Sequence, residues 1–353
     1  MRIEFGRQPF HYLFVPTVLP FAEGGYDIDE SALRRYLERL SAPEFAARGV
    51  GVVINSEAGE LVYLTRREAR RTVEIAVEVC ADRIPVVAGV AALRPETMIE
   101  IAQDAKEVGV EALMLLPPMG AVDVSVGWNT ARYPEVWTDV AAAVDAAVDM
   151  PLFMHPVTNF TPEFGPGFPL VGVMKMVEEI ENVVAWKMTY SWQGWRTVAA
   201  ALRGFRRHIA LLGSGARYYH EAIASGILDG GLSAAFNYSL DEHLAHIGAF
   251  QADSLETALS IWDGGLRQLQ EFVFAEPSRL HIRTKVGAWI AGNVAHPMMR
   301  PPMPKPFQAE CEQIRALMVQ AGCEVIDEEQ FRSGLEAVRL ASAPFSRPLS
   351  QPR

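Results

Sequence analysis

A chain of 353 residues with a net charge of −11 is long enough to bury one extensive core or two, and its acidic balance argues against nucleic acid and anionic membrane surfaces as partners. Three cysteines (Cys80, Cys311, Cys323) are too few for a disulfide framework and fit a reducing compartment. With no apolar run of the ~18 residues that a spanning helix needs, and no apolar core in the N-terminal segment of the kind a secretory signal carries, the protein is expected to be cytoplasmic.

Taken in chain order, short apolar runs alternate with amphipathic helical patterns. A strand is predicted over 13–21, followed by a helix over 29–40 with Ala32, Leu33, Tyr36, Leu37 and Leu40 on one face. A strand over 51–55 leads to a helix that opens on the capping-box pair Thr65 and Glu68. The strand over 84–90 precedes a helix starting near Pro95, with proline in its first turn. The strand over 111–117 is followed by a longer polar connection, 121–132, and a helix over 133–148. Strands over 150–155, 182–187, 209–213 and 230–235 complete the series, each followed by a helical pattern. No internal sequence repeat is visible.

Runs that are apolar throughout fit parallel strands covered on both faces. Eight such strand–helix units in residues 1–250 predict an α/β fold, a (β/α)₈ TIM barrel. A doubly wound sheet is the alternative, but no G-x-G-x-x-G follows the first strand. From 251 to 342 the pattern is helical only (about 255–275, 280–292, 307–321 and 327–340), a C-terminal extension. The aperiodic tail 343–353 is expected to be disordered.

In such a barrel the functional groups sit at the C-terminal ends of the strands. Those positions hold Glu57 and Glu60 after the second strand, Met119 and Gly120 after the fourth, and His155 and Lys187 at the ends of the fifth and sixth. Ser214 ends the seventh, and Leu232, Ser233 and Asn237 belong to the eighth and its sequel. The chain has five lysines (Lys106, Lys175, Lys187, Lys285, Lys305), and Lys187 closes an apolar strand. A snorkelling lysine would explain it. So would a nucleophile, since burial favours the neutral amine that attacks carbonyls.

The succession "PTVLPF", "AGELVYLTRREARRTVEIAVEVCADRIPVVAGV", "ALMLLPP", "PLFMH" and "NVVAWKMTYS", with the later "RPPMPKPFQAE", resembles the dihydrodipicolinate synthase/N-acetylneuraminate lyase superfamily over about residues 12–325. The resemblance implies a barrel with a helical extension, a homotetramer built as a dimer of dimers, and a Schiff base between the sixth-strand lysine, here Lys187, and pyruvate or another 2-oxo acid. It also marks departures. The family's second-strand Gly-Thr-Thr-Gly-Glu, whose hydroxyls help hold the 2-oxo acid carboxylate, is here Ser56, Glu57, Ala58, Gly59 and Glu60. The relay tyrosine at the end of the fifth strand is His155, and the second relay tyrosine falls where Met119 and Gly120 stand. The arginine that binds the synthase's aldehyde substrate has no match in residues 156–162. Synthase activity itself is therefore not expected.

Lys187 and His155 are thus the expected catalytic pair, with Ser56, Glu57, Ala58, Ser214, Leu232 and Ser233 as substrate-binding residues and no metal or cofactor. Histidine's ordinary pKa near 6.5 suits proton transfer, so the relay is expected to titrate near 6–7. Glu60 is expected to bond loop amides, Arg217, Tyr218 and Tyr219 to form helix surface and subunit contacts, and Tyr190 or one of these tyrosines to be the reserve relay. In the connection 121–132, Trp128 and Arg132 are the residues whose side chains could stack on or pair with a ligand, and nothing in the sequence fixes their orientation. The expected activity is a class I lyase or aldolase, with a dehydratase or hydratase–aldolase using the same imine as a variant. A metal-dependent enzyme using Glu57, Glu60 and His155, and a non-catalytic binding barrel, are the other readings.

Overall fold

Eight short stretches dominated by Val, Leu, Ala and Gly pair side by side and close into a barrel in the computed structural model, which describes all residues except 1, 2, 4, 6–9, 23–24, 120–127, 158–159, 162–164, 215–217 and 342–353. The strands are β1 (Tyr12–Pro16), β2 (Val50–Ile54), β3 (Val86–Val90), β4 (Ala112–Leu115), β5 (Leu152–Met154), β6 (Val183–Met188), β7 (Ala210–Gly213) and β8 (Gly230–Leu232). All neighbouring pairs are parallel, and Tyr12 opposite Gly230 closes the ring. The surrounding helices are α1 (Glu30–Leu40), α2 (Arg66–Cys80), α3 (Pro95–Val108), α4 (Glu135–Val148), α5 (Leu170–Glu179), α6 (Trp192–Arg203), α7 (Tyr219–Ala224) and α8 (Leu240–Gln251).

The expected barrel is present, with shifts at the element ends. β1 stops at Pro16 rather than continuing to 21. β8 ends at Leu232, because Ala234–Asn237 tightens into a 3₁₀ turn. β6 runs one residue past Lys187, and a two-stranded hairpin, Phe160–Thr161 with Gly165–Pro166, interrupts the connection after β5. The tail 343–353 lies outside the described residues. Among the described residues, no helix is long and apolar enough to cross a membrane.

Side chains alternate along each strand. Phe14, Met114, Phe153 and Ala185 share one buried cluster inside the barrel, while Val15, Leu113, Met154 and Trp186 pack outward against the helices. Phe5 plugs the N-terminal end, its ring 5.5 Å from both Tyr12 and Phe153. Two residues beyond Phe153 and Ala185 the same inward face carries His155 and Lys187, so apolar filling below gives way to polar groups at the opposite mouth. The seam between β8 and β1 is held by Asn237. Its Oδ1 accepts from the Val18 amide (2.9 Å) and the Tyr36 hydroxyl (2.8 Å), and its Nδ2 donates to the carbonyls of Pro16 and Ala234.

Among the described residues, five α-helices form the extension: α9 (Leu255–Ile261), α10 (Arg267–Phe274), α11 (Leu280–Ile290), α12 (Gln308–Gln320) and α13 (Glu328–Ala341). A π-helical turn, Trp262–Leu266, joins α9 to α10. There Gly265 sits at φ +147°, where a Cβ would lie 2.7 Å from the Ala321 backbone, so only glycine fits.

The extension is bolted to the barrel mouth by ions. Lys285 on α11 reaches Glu60 with Nζ 2.5 Å from Oε1, both side chains fully buried, and the ammonium lies 3.9 Å from the centre of the Phe21 ring. The second oxygen of Glu60 accepts from the Arg300 amide at 2.7 Å. Arg300 in turn pairs with Glu68 (2.6 Å), whose other bonds close the α2 capping box with Thr65. Glu60 therefore does bond an amide, but one donated by the extension.

Removing one partner of a buried pair strands the other's charge, which costs about 3–5 kcal/mol. Lys285→Met is expected to destabilise the protein by that amount, and Lys285→Met with Glu60→Met to recover most of it. Denaturant unfolding checks both; an unchanged midpoint in the single variant would show that the pair contributes nothing.

Candidate active site

The loop after β2 is the first piece of the site. Asn55 ends the strand at φ +55°, held by its Nδ2 donating to the Ala69 carbonyl and its Oδ1 accepting from Thr72 (2.7 Å). Gly89 on β3 has no room for a side chain, since a Cβ there would lie 1.9 Å from the Asn55 carbonyl oxygen. Residues 56–61 then form a tight turn, in which the amides of Gly59 and Leu61 donate to the Ser56 carbonyl and that of Glu60 to Glu57. Glu60 takes a left-handed conformation at φ 59°, a strained position for a non-glycine residue that its two bonds to the extension hold in place. The turn thereby points Glu57 at the mouth, one-quarter exposed.

His155 continues β5, its amide donating to the Leu115 carbonyl at 2.9 Å, and its side chain is buried. Lys187 projects inward from β6 on the face of Ala185. The Lys187 Nζ lies 2.8 Å from His155 Nε2, and Glu57 Oε2 lies 2.8 Å from the same nitrogen. One ring nitrogen thus meets both groups. Carrying its proton, it donates to the Glu57 carboxylate; without it, it accepts from the Lys187 ammonium. The two departures from the family pattern, the acid after β2 and the histidine after β5, are in contact with each other.

The electrostatics fit a poised amine. Burial lowers the Lys187 pKa to about 8, against the opposing pull of the Glu57 anion. At pH 7 about a tenth of the molecules then carry a neutral amine, against fewer than about one in a thousand for an ordinary lysine. Glu57 is raised by burial, but His155, His281 and Lys187 together hold its carboxyl well below the usual carboxylate range. Burial first, then the positive charge of Lys187, pushes His155 down to about 4, with Glu57 resisting. The expected titration near 6–7 is therefore corrected: the imidazole is neutral throughout the physiological range and acts as a base or a neutral donor.

The other expected site residues spread more widely. Ser56 and Ala58 share the Glu57 turn. Ser56 Oγ accepts from the Gly59 amide at 3.3 Å, and Ala58 is buried. Ser214 stands two residues past Leu212, the register partner of Lys187, and donates to the Met188 carbonyl at 3.5 Å. Leu232 belongs to the apolar interior, and Ser233 Oγ accepts from the Ala235 amide.

Three secondary expectations change. Tyr190 spends its hydroxyl accepting from the Trp186 indole N–H (2.9 Å), on the strand face opposite Lys187, so it is not a relay to that amine. Tyr219 is buried beside His243 and His246 rather than on a helix surface, while Tyr218 is exposed; Arg217 and Gly120 lie outside the described residues. Trp128 is buried, donates to the Tyr133 carbonyl and packs on Phe168, and Arg132 lies over the Tyr133 ring. Both oxygens of Glu60 are engaged by the extension, so it does not join Glu57 and His155 in a metal-binding set. Among the described residues no group of three or more His, Cys, Asp or Glu side chains could hold an ion.

A parallel eight-stranded barrel with a recessed amine at its C-terminal mouth defines the class. The sequence matches the Dihydrodipicolinate synthetase family over residues 9–321, and the chain belongs to that family, whose members are generally lyases. An uncharacterized DapA-like lyase of Thermofilum pendens is 23% identical over 318 residues, covering 90% of this chain and 99% of the relative. A 4-hydroxy-tetrahydrodipicolinate synthase of Thermus thermophilus is 35% identical, but over only 40% of this chain and 42% of its own length. Among solved structures, the E. coli K12 prophage protein YagE, in complex with pyruvate, superposes with TM-score 0.72 at 16% identity, covering 88% of this chain and 98% of that one. Dihydrodipicolinate synthase from Aquifex aeolicus does so with TM-score 0.72 at 20% identity, covering 90% and 100%.

Removing the anion beside Lys187 leaves burial unopposed, so Glu57→Gln should lower the amine's pKa below about 8. The check is the pH of half-maximal trinitrobenzenesulfonate modification of Lys187, followed by peptide mapping. An upward shift would contradict the assigned charge balance.

Proposed function

We propose that the protein is a Schiff-base-forming (class I) lyase or aldolase acting on a 2-oxo acid, such as pyruvate or a sugar-acid derivative. The observation that carries this reading is the Lys187 amine, lowered to about 8 by burial and 2.8 Å from the neutral imidazole of His155. Family membership and the pyruvate held by the related YagE support the substrate class.

In this reading the neutral amine attacks the keto carbon, and His155 passes the proton that lets the carbinolamine lose water. The protonated imine then draws the electron pair of the breaking bond toward nitrogen. If the bond broken is carbon–carbon, the product is an aldehyde plus an enamine; if it is carbon–oxygen, the same imine serves a dehydratase or hydratase–aldolase. The turn offers one hydroxyl, Ser56, where the family pattern carries two threonines, so Ser56 is the hydroxyl left there to hold the substrate carboxylate. The same reading has the enzyme working in the cytoplasm as a homotetramer, and a light-scattering mass near the monomer's 39.0 kDa would contradict the assembly.

Pyruvate plus borohydride should add one reduced adduct, mapped to Lys187 and absent from Lys187→Ala. An adduct on another lysine would overturn the assignment. His155→Ala should slow turnover about 10²–10⁴-fold, the usual worth of a positioned acid–base group; unchanged turnover would reduce the histidine to packing.

A further inference from the structure

The site as described has one imidazole, and that imidazole is already committed on one nitrogen to both Lys187 and Glu57. A Schiff-base lyase must also move a proton at carbon, because the carbon that leaves the broken bond as an enamine has to be protonated. Among the site's side chains, His155 keeps a buried Nδ1 with no hydrogen-bond partner among the described residues, but its ring already serves the imine nitrogen through Nε2. Tyr190 is bonded to Trp186, and Glu60 is bonded to Lys285 and Arg300.

A second imidazole comes from the extension. His281 stands one helical turn before Lys285 on α11, and side chains at i and i+4 lie on one face of a helix. Lys285 is pinned to Glu60, and Glu60 is bonded through its amide to the Glu57 carbonyl. The face of α11 that carries His281 is therefore laid against the turn that presents Glu57. His281 Nδ1 is closed off from solvent and has no hydrogen-bond partner among the described residues. Its imidazole lies within electrostatic reach of Glu57, Lys187 and Glu60, and of His155. Like His155 Nδ1, His281 Nδ1 is a buried ring nitrogen without a partner among the described residues, and a polar atom in that state is costly to leave unused.

Resting on the Schiff-base reading, we infer that His281 is the acid–base residue for the carbon next to the imine, while His155 serves the nitrogen. With a pyruvate imine, His281 Nδ1 takes a proton from the methyl carbon. The C–H pair becomes the enamine double bond, and the imine π pair moves onto nitrogen. In the lyase direction the free-base nitrogen takes the proton that the substrate hydroxyl sheds as the carbon–carbon bond breaks and delivers it to the enamine carbon, regenerating the protonated imine that water then hydrolyses. Burial first, then the charge of Lys187, lowers the His281 pKa although Glu57 and Glu60 oppose the shift, which leaves the ring as the free base that proton removal needs.

The test separates the two histidines with pyruvate as the probe. Two readouts are used: borohydride adduct on Lys187, and exchange of the pyruvate methyl protons in D2O followed by proton NMR. His281→Gln should keep the adduct at the wild-type level, which also shows that the variant is folded, and lose about 10²–10⁴-fold in exchange rate. His281→Asn, closer to the ring in length at Nδ1, should behave alike. Wild-type exchange in both variants, with exchange lost in His155→Gln instead, would overturn the inference while leaving the Schiff-base reading intact. Failure of the wild-type protein to form the adduct would overturn both.

Discussion

The buried bond between Lys285 and Glu60 is the constraint on which the site depends. It holds a glutamate in a left-handed turn and draws α11 over the barrel mouth, and through the Glu60 amide it sets where Glu57 stands. Two charges removed from water are costly unless their geometry is good and their remaining bonds are made. Here the carboxylate is completed by the Arg300 amide and the ammonium by the Phe21 ring. The result is a rigid floor from which two charged groups, Lys187 and Glu57, can each be held 2.8 Å from a single ring nitrogen of His155.

That floor also explains how the site can differ chemically from its relatives on the same fold. Exchanging a hydroxyl for a carboxylate beside the lysine would, alone, push the amine toward its charged and unreactive form. Burial opposes that pull, so the amine stays near 8 instead of returning to its ordinary value. The lysine's charge and burial keep the histidine neutral, while the carboxylate on its other side resists that shift. Acid, imidazole and amine thus make sense only as a set.

Much of the barrel was legible in the sequence because its signals are local. Apolar runs of strand length, the Thr65–Glu68 cap and the inward position of Lys187 two residues after Ala185 all follow from periods of two and 3.6. Element ends were less legible: β1 stops at Pro16 and β8 at Leu232, where turn geometry overrides an apolar pattern that continues. The Glu57–His155 contact joins residues 98 positions apart in numbering, and periodicity carries no information about such pairs. His281 and Lys285 were missed because a helical pattern does not say which face docks. One signal was available: Lys285 is among five lysines and stands in the otherwise apolar run "KVGAWIAG", an expensive place for a charge unless a partner waits.

The Asn237 clasp has a consequence for how the chain is made. Its bonds tie residues 16 and 18 to a side chain 221 and 219 positions later, so the first strand synthesised is among the last to find its second neighbour. Until residues 230–237 have left the ribosome, β1 presents an open edge of unpaired backbone groups next to apolar side chains, the kind of surface that other chains add to. The ring therefore cannot protect its own beginning during synthesis. For most of translation, escape from aggregation rests on how quickly α1 covers the outer face of β1 and β2 covers its other edge.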